Sequence, residues 1–396
     1  MKCRAFLITT NRLENTKMVT PETQTQIAQL DKQIEELARK RIELASQEDN
    51  TKSSSEATLE TRRYERQFMY SLSANDDIAM GNLEKTLFRT LFGLSHSYQA
   101  SSGSKNSNIA EAIDNALENT PKIFPESAVV ACQGIEGAYS QIASDKLFQD
   151  ANIMYFRTFD GVFQAVEAGL CRYGVLPIEN SSYGSVTQVY DLMKSHKFHI
   201  VRAMKLQITH RLLAKPGTKF ENIKEIYSHS QAIGQCSKFL RDNQNIKVNV
   251  VANTAVAAQA IADSDRTDIA AISSPDCAAL YGLDVLRDDV QNSDHNYTRF
   301  IVICKDLEIY PGADKASIML ALGHTPGSLS DMLARFSALG LNLTKLESRP
   351  IEGRDFEFMF YLDVEASIYS EQFINLLCQL DSDPQAFTFL GSYKES

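Results

Sequence analysis

The sequence predicts a multidomain protein in which three classes of structure follow one another. The N-terminal part has apolar residues at helical spacing, which indicates an all-α bundle. The middle part alternates short apolar strands with helices, which is typical of an α/β domain. The last part has the order β-α-β-β-α-β, which predicts a small α+β domain of the ferredoxin-like type.

Length and composition fit several folded domains and exclude some classes of function. The chain has 396 residues, 43% of them hydrophobic, so about two to four domains with real cores are expected. The formal net charge of −10 argues against a nucleic-acid-binding surface. No apolar run approaches the roughly 18 residues of a membrane span. The seven cysteines are scattered, which predicts reduced thiols in a cytoplasmic protein and no metal site.

The first residues predict a flexible leader. Its apolar patch, Ala5 to Ile8, is too short for the core of a signal peptide. The natural start is either Met1 or Met18, and both starts leave the predicted domains intact.

Three helices are predicted in the N-terminal part. Thr20-Pro21-Glu22 combines an N-cap hydroxyl, a proline in the first turn and an acid at the positive end of the dipole, so a helix starts there and runs to about Gln47. Two more are predicted at about 57–74 and 83–99. The seam of the first helix alternates spacings of three and four, as packed helices do, and consists of Ile27, Leu30, Ile34, Leu37, Arg41 and Leu44.

Polar side chains lie on the apolar faces of these helices. Arg41 and Glu65 lie on the first and second helices, and Ser95 and Gln99 lie on the third. A cation in a helical seam is costly unless an anion pairs with it. One interpretation is an internal ion pair between Arg41 and Glu65. The other is a ligand cavity in which the four side chains converge and Lys52 closes the pocket.

A small, polar segment at 100–108 predicts a linker to the α/β part. The segment QGIEGAYS, residues 133–140, follows the first predicted strand at 128–132. Its glycines either let the backbone approach an anion or form only a tight turn. Both interpretations stay open at this level.

Reactive side chains cluster where buried strands end. Glu179, Asn180, Ser181 and Ser182 cluster at the end of one strand, and ordinary capping explains one of them but not all four. Thr298 and Arg299 stand directly ahead of the apolar run FIVIC. Ligands of α/β sheets bind at such strand ends, so these groups predict a cleft for a small anionic substrate.

Two further observations bear on the chemistry of this cleft. His229 follows another predicted strand, although a lone histidine is more often structural than catalytic. The sequence has no nucleophile elbow, no metal-ligand spacing and no nucleotide fingerprint, so chemistry without a cofactor is expected.

The motifs of the middle part resemble those of prephenate dehydratase, in order and at suitable spacing. They are GxxGAYS, PIENSSxGS, YSHxQAxxQCSKFL, YGLxVL and NxTRF. The last part resembles an ACT regulatory domain through PGSL and ESRP, and the helical part is similar to the mutase domain of bifunctional chorismate mutase–prephenate dehydratases. The resemblance implies a chorismate mutase-like domain at 20–105, a two-lobed, periplasmic-binding-protein-like dehydratase domain at 126–305 and an ACT domain at 314–396.

The resemblance also implies a reaction in phenylalanine biosynthesis, the conversion of prephenate to phenylpyruvate, CO2 and water. No cofactor is implied, because aromatisation drives the reaction. Thr298 matches the family's essential threonine and would contact the departing hydroxyl, and Arg299 is placed to hold a carboxylate. The other site residues that the resemblance implies are Glu179, Asn180, Ser181 and His229.

For the helical part, the resemblance implies mutase activity on chorismate. The matching positions are Arg41, Lys52, Glu65, Ser95 and Gln99. An arginine of the family aligns with Gln24, and its aspartate and second arginine align with Thr61 and Tyr64. Lost anchors weaken the binding of a dianion. We therefore expect slow turnover, a high Michaelis constant, or a domain kept for dimerisation.

For the last part, the resemblance implies feedback inhibition by L-phenylalanine. The implied effector residues are Gly327, Ser328, Leu329, Asn342, Glu347, Ser348 and Arg349. The family usually has a GALV-like run where this chain has GSLS. That departure bears on the strength of effector binding and not on the fold.

Several alternatives stay open. The substrate could be arogenate in place of prephenate, the helical domain could be an inert dimerisation domain, or the chain could be a non-catalytic solute-binding module. A homodimer or larger homo-oligomer is expected, since three short helices bury little surface alone. Neither a nucleic acid nor a membrane is expected as a partner.

Overall fold

The computed structural model describes residues 20–46, 54–72, 77–101, 107–351, 353, 357–382 and 387–396. The chain divides into two compact units, Met1–Gly103 and Ser104–Ser396. The predicted leader and Lys52 lie outside the described residues, as does the side chain of Gln99.

The described part of the first unit is helical. Its helices are α1 Pro21–Ser46, α2 Ser54–Ser71 and α3 Ile78–Ser101, so each predicted helix is present with ends shifted by up to five residues. Thr20 caps α1, because its hydroxyl accepts a 3.2 Å hydrogen bond from the N–H of Thr23. The rings of Phe68, Phe88 and Phe92 pack together with centroids 4.7 to 6.1 Å apart.

The apolar seam of α1 is exposed within this unit. Its relative exposure lies between 46% and 67% at Ile27, Leu30, Ile34, Leu37 and Leu44. A contiguous apolar surface of this kind is typical of a helix face that is covered by a partner.

The second unit contains strands and helices in alternation. Its strands are β1 Ser127–Gln133, β2 Asp150–Phe156, β3 Tyr173–Asn180, β4 Gly184–Ser185, β5 His199–Gln207, β6 Arg211–Ala214, β7 Glu225–Ser228, β8 Lys247–Val250, β9 Ile269–Ser273, β10 Asp284–Arg287, β11 Tyr297–Cys304, β12 Lys315–Leu322, β13 Asn342–Pro350, β14 Phe358–Glu365 and β15 Phe387–Glu395. Its helices are α4 Asn108–Asn119, α5 Tyr139–Leu147, α6 Phe159–Glu167, α7 Thr187–Met193, α8 Ser230–Gln235, α9 Ser237–Asp242, α10 Thr254–Asp263, α11 Asp276–Tyr281, α12 Ser328–Ala338 and α13 Glu371–Ser382.

The middle of the chain forms two lobes, as the two-lobed α/β prediction expects. The first lobe, residues 127–207 and 297–304, has strand order β5-β11-β3-β1-β2, with β4 beside β3. The second lobe, residues 211–287, has a separate sheet of order β10-β6-β9-β7-β8. The chain crosses between the lobes at 208–210 and again at 288–296. Continuous apolar runs such as IAAIS in β9 are buried throughout, as expected for central strands.

The C-terminal segment has the predicted order β-α-β-β-α-β, from β12 through α12, β13, β14 and α13 to β15. Its strands are antiparallel in the order β13-β14-β12-β15, the strand order of a ferredoxin-like sheet. One face of this sheet packs on α12 and α13, with Phe336 and Phe373 buried between the layers.

The C-terminal sheet continues into the sheet of the first lobe. β15 pairs in parallel with β5, with Lys394 opposite Arg202 and Glu395 opposite Ala203. The resulting sheet runs without interruption from β13 to β2. The first lobe and the C-terminal segment therefore share main-chain hydrogen bonds as well as side-chain contacts.

Helix α4 lies between the predicted linker and the first strand, where the sequence analysis predicted no element. Ser107 caps it, and its hydroxyl accepts from the N–H of Ile109. Ile113 and Ala116 are buried in the core of the C-terminal segment. Helix α4 therefore packs the beginning of the second unit against the C-terminal segment.

Candidate active site

Thr298 and Asn180 face each other at the ends of two neighbouring strands. They are directly opposite in the antiparallel pairing of β11 with β3. Nδ2 of Asn180 donates a 2.9 Å hydrogen bond to Oγ1 of Thr298, and both residues are buried. The structure thus brings together two residues that the sequence placed at separate strand ends.

The orientation of the Asn180 carboxamide is fixed by backbone donors. Its Oδ1 accepts hydrogen bonds from the N–H groups of Ser182 at 2.9 Å and Tyr183 at 3.1 Å. Because the oxygen must face these donors, the amino group must face Thr298 and Asn296. Nδ2 donates to Oδ1 of Asn296 at 2.9 Å. Since Asn180 donates to Thr298, the hydroxyl hydrogen of Thr298 is directed elsewhere and can form a hydrogen bond to a ligand.

Ser181 ties the same two strand ends together through its backbone and its hydroxyl. Its N–H donates to the carbonyl of Tyr297 at 2.8 Å, and its Oγ accepts from the N–H of Tyr297 at 2.9 Å. The hydroxyl also lies 3.4 Å from the carbonyl of His295. Ser181 therefore fixes the approach of β3 to β11, a different role from the predicted hydrogen bond to the anion.

Arg299 and Glu179 point to the opposite face of the first-lobe sheet. They are paired across β11 and β3, one residue away from Thr298 and Asn180. Successive side chains of a strand alternate between faces, so neighbours in sequence cannot line one side of the sheet. This corrects the prediction that Arg299 acts beside Thr298.

The guanidinium of Arg299 forms ion pairs and hydrogen bonds with the C-terminal segment. It forms an ion pair with Asp363 of β14, donates to Glu395 at 2.5 Å, and donates to the hydroxyl of Tyr393 at 2.9 Å. Burial opposes the charge of Glu395, but a 2.6 Å hydrogen bond from Lys315 and the nearby Arg299 lower the pKa of Glu395 to about 2. The described contacts of the Arg299 guanidinium are therefore with the C-terminal segment, and its predicted role in holding a substrate carboxylate stays a prediction.

The carboxylate of Glu179 makes a similar contact. Its Oε1 accepts from Nζ of Lys345 at 2.8 Å, and the same ammonium donates to Oγ of Ser185 at 2.8 Å. Lys345 lies on β13. Glu179 therefore connects the strand that carries Asn180 to the edge strand of the C-terminal sheet.

His229 is placed on the second lobe, at the start of α8. Its Nδ1 accepts from the N–H of Gln231 at 3.4 Å, which leaves Nε2 as the protonated nitrogen of a neutral ring. Burial lowers the pKa of His229, so the ring stays neutral near pH 7. The predicted residue can therefore donate one hydrogen bond. No contact of this ring with Thr298 or Glu179 is seen in the described structure.

Three residues near Thr298 were not singled out from the sequence. Asn296 is 2% exposed, and its Nδ2 is buried without a partner among the described residues. Nε2 of Gln235, across the cleft, lies 3.5 Å from Oδ1 of Asn180 and 3.4 Å from Oδ1 of Asn296. His210, on the first crossover, contacts Oε1 of Gln235 through its Nε2. Their contacts depend on how the lobes meet, which residue spacing does not encode.

The glycine-rich turn QGIEGAYS makes its close contacts with other parts of the protein. Gly137 has a left-handed φ of 87°, and its N–H donates to Oε1 of Gln141 at 2.6 Å. A Cβ at this position would lie 2.9 Å from Sγ of Cys277 on α11. Glycine is needed at position 137 because α11 of the second lobe packs against the turn and leaves no room for a Cβ. This favours the tight-turn interpretation.

The chain is similar to a family of known proteins. The family model for prephenate dehydratase matches residues 130–308. Arogenate dehydratase/prephenate dehydratase 2 of Arabidopsis thaliana is 38% identical over 276 residues, which cover 67% of this chain and 72% of that protein. The bifunctional chorismate mutase/prephenate dehydratase of Escherichia coli K12 is 35% identical over 278 residues, 69% of this chain and 72% of that enzyme.

The chain belongs to the prephenate dehydratase family. A crystal structure of prephenate dehydratase from Arthrobacter aurescens in complex with L-Phe superposes with a TM-score of 0.61 and 30% identity, covering 67% of this chain and 89% of that one. This supports the two-lobed α/β fold of the dehydratase part.

The first unit of this prephenate dehydratase family member brings three predicted side chains together. Arg41 donates to the hydroxyl of Ser95 at 2.5 Å and lies 3.7 Å from Glu65. Its guanidinium also stacks over the ring of Phe92, 4.5 Å from the centroid. His96, which the sequence analysis did not single out, contacts Glu65 at 3.0 Å. The charge in the helical seam is therefore compensated within the protein.

The predicted effector residues divide between two faces and two ends of the C-terminal sheet. Ser328 lines a cavity of about 270 Å³ beside Phe358 and Phe360, and Gly327 precedes it with a left-handed φ of 94°. Ser348 pairs with Phe360 and so shares the cavity's face of the sheet. Leu329 packs into the core beneath the helix.

The other predicted effector residues lie elsewhere in this unit. Glu347 accepts from Ser185 at 2.6 Å, and Arg349 forms a bidentate pair with Asp191 at 2.7 and 2.9 Å, so both face the first lobe. Asn342 bonds Glu365 at the opposite end of β13, roughly 26 Å along the strand from its last residue. The seven residues thus do not line one pocket of this unit.

The described residues contain neither a metal-binding cluster nor a membrane-spanning helix. No group of three or more His, Cys, Asp or Glu side chains among them is arranged to hold a metal ion. None of their helices is long and apolar enough to cross a membrane. The six cysteines that the structure describes are all free thiols, five of them buried.

Proposed function

We propose that this protein catalyses the decarboxylating dehydration of prephenate or of arogenate in aromatic amino acid biosynthesis. The bond from the ring to its carboxylate breaks and releases CO2, and its electron pair forms a ring double bond. The opposite C–O bond breaks with its own electron pair, so that hydroxide departs, takes up a proton from solvent and leaves as water. Aromatisation drives the step, so no cofactor is needed.

The observation that carries the proposal is the hydrogen bond from Asn180 to Thr298. Because the hydroxyl oxygen of Thr298 accepts this bond, its O–H group is available to donate a hydrogen bond to the departing oxygen of the substrate. Negative charge develops on that oxygen as the C–O bond breaks. A donor already aimed at the charge stabilises the transition state more than the ground state.

A two-substrate assay tests the activity. Purified protein is given prephenate or arogenate, and formation of phenylpyruvate or phenylalanine is followed. Turnover of either substrate supports the proposal, and the ratio of kcat/KM values assigns the substrate. Binding of both without consumption would support the solute-binding alternative.

We infer that the C-terminal segment is the regulatory part and that L-phenylalanine is its effector. Support comes from the cavity beside Gly327, which combines the aromatic walls of Phe358 and Phe360 with the N-terminal turn of α12. The Arthrobacter aurescens relative was crystallised with L-Phe. Dehydratase rates that do not change with millimolar phenylalanine would contradict this inference.

For the first unit we propose pairing with a second copy and weak mutase activity. The exposed seam of α1 supports pairing, because a second such helix would cover it. The convergence of Arg41, Ser95 and Glu65 supports a small anion site, whereas Gln24, Thr61 and Tyr64 replace family anchors. An assay that couples chorismate to phenylpyruvate formation measures the mutase step, and normal rates would show that other residues compensate.

A further inference from the structure

We propose that His210 and Gln235 are positioning residues that set the direction of the Thr298 hydroxyl through a one-way chain of hydrogen bonds. The inference rests on the proposed role of Thr298. It adds two residues from the second lobe and the first crossover to a site otherwise built from strand ends of the first lobe.

The chain begins at a buried imidazole. His210 is 2% exposed, and its Nε2 lies 2.7 Å from Oε1 of Gln235. A carboxamide oxygen can only accept, so Nε2 carries the proton and donates. Nδ1 is buried without a partner among the described residues, as expected for the unprotonated nitrogen. Burial lowers the pKa of His210, which keeps the ring in this neutral form near pH 7.

The next link crosses the cleft. With its oxygen held by His210, Gln235 turns its amino group toward the first lobe, 3.5 Å from Oδ1 of Asn180 and 3.4 Å from Oδ1 of Asn296. The reversed carboxamide would place its oxygen against two other carboxamide oxygens. The contacts therefore select one orientation.

The last link is already oriented by the backbone. Oδ1 of Asn180 faces the N–H groups of Ser182 and Tyr183, so Nδ2 donates to Thr298. Each group in the chain accepts from the one before and donates to the one after, which polarises the next donor. The final donor is the Thr298 O–H, and the reacting oxygen of the substrate is its acceptor.

Residues of the GAYS motif and of the second crossover hold His210, where this chain of hydrogen bonds begins. Tyr139, at the start of α5, donates its hydroxyl proton to the carbonyl of Thr209, and its ring meets that of His210 edge-on at 6.1 Å. The N–H of His210 donates to Oε1 of Gln291 on the second crossover at 3.1 Å. The GAYS segment thus fixes the crossover from which the imidazole reaches Gln235.

The experiment compares kcat and KM of the full-length protein with those of Gln235→Leu, His210→Leu and His210→Gln, using the substrate that the two-substrate assay selects. Gln235→Leu and His210→Leu are expected to lower kcat about 10- to 100-fold, the cost of leaving one buried partner unsatisfied, with KM changed less than about threefold. His210→Gln retains an N–H donor near the Nε2 position and is expected to recover most of kcat.

His199→Gln is the matched control. His199 is another largely buried histidine with an Nδ1 that has no partner among the described residues, and its burial likewise lowers its pKa. It pairs with Cys304, roughly 20 Å along β11 from Thr298. Any loss of stability that follows from replacing a buried imidazole should appear in this variant, with kcat retained.

Two results would overturn the proposal. One is a folded Gln235→Leu protein with kcat within twofold of the parent. The other is a kcat for His210→Gln as low as that of His210→Leu at an equal unfolding midpoint. The Thr298→Ala variant distinguishes failure of this proposal from failure of the proposed site. If Thr298→Ala is inactive while the Gln235 and His210 variants keep the parental kcat, only the proposed chain of hydrogen bonds is refuted. If Thr298→Ala is active, the proposed site itself fails.

Discussion

Asn180 donates to Thr298 across adjacent antiparallel strands, while their sequence neighbours Glu179 and Arg299 extend from the opposite face to the C-terminal segment. One pair of strands therefore carries the proposed chemistry on one side and the proposed regulation on the other. The distance between the two functions is the thickness of a single sheet.

Replacing Thr298 should abolish the dehydratase step without unfolding the protein. Thr298→Ala removes the donor to the leaving oxygen, and we expect kcat to fall about 100- to 1000-fold, as for other donors that act on developing charge. Thr298→Ser keeps the hydroxyl and should retain most of kcat. Stopped assays of product formation give the rates, and thermal unfolding checks the fold. Near-parental turnover by Thr298→Ala would refute the assignment.

Replacing Arg299 should affect stability more than substrate binding. Arg299→Leu leaves Asp363 and Glu395 buried without their cation, and we expect the free energy of unfolding to fall by about 3–5 kcal/mol. Arg172→Leu is the control, because Arg172 is half exposed beside Glu308 and should cost less than about 1 kcal/mol. Denaturant titration measures both. A large rise in KM at parental stability would instead return Arg299 to the substrate site.

Breaking the Lys345–Glu179 ion pair should weaken the feedback control that we propose. Lys345→Met removes the contact between β13 and the strand that carries Asn180. We expect the concentration of phenylalanine for half-inhibition to rise at least about fivefold, the lower range of allosteric coupling. Calorimetry should show that phenylalanine still binds. Lys247→Met, at an exposed lysine paired with Glu225, is the control. Unchanged inhibition by Lys345→Met would exclude this route.

The buried carboxylate of Glu395 should make stability fall in acid. Its pKa of about 2 lies below the ordinary 4.5, so the folded state favours the charged form. The resulting stabilisation is complete above pH 4.5 and is lost as pH falls toward 2. We expect Glu395→Gln to cost roughly 2 kcal/mol at pH 7, after allowance for solvent screening, and less at pH 3.5. Urea unfolding at both values tests this, with the exposed Glu126→Gln as control. A pH-independent difference would contradict it.

A charge placed in the exposed seam of α1 should prevent self-association. Leu37, 67% exposed, is replaced by glutamate, and Lys32→Glu on the same helix is the control. If a second copy covers this seam, Leu37→Glu buries an unpaired charge and should shift sedimentation toward the monomer. Equal sedimentation of both variants and the parent would show that another surface mediates assembly.

The sequence indicated which polar residues lie at the strand ends, but not which face of the sheet each side chain occupies. Polar residues at strand ends predicted that Asn180 and Thr298 lie at one edge of the sheet, and the two residues are hydrogen-bonded there, since strand ends are a local property of the sequence. The placement of Arg299 beside Thr298 failed on the same periodicity, because adjacent residues of a strand point to opposite faces. That signal was present in the sequence.

Other features could not be read from spacing. His210, Gln235 and Lys345 matter through partners 25 to 166 residues away along the chain. Their contacts arise from how the lobes and the C-terminal segment meet. Helix α4 was missed although Ser107 and the apolar Ile109, Ile113 and Leu117 are helical signals. Those signals lie just beyond a polar segment that was interpreted as a linker.

The pairing of β15 with β5 limits how evolution or engineering can rearrange this enzyme. A chimera that exchanged only the last segment for that of a relative would also have to recreate an edge to which β5 can bond. The boundary for a successful graft therefore lies inside the catalytic lobe and not in the connection that precedes β12. The sensitivity to L-phenylalanine that we propose should therefore depend on β5 and β11 as well as on the C-terminal segment.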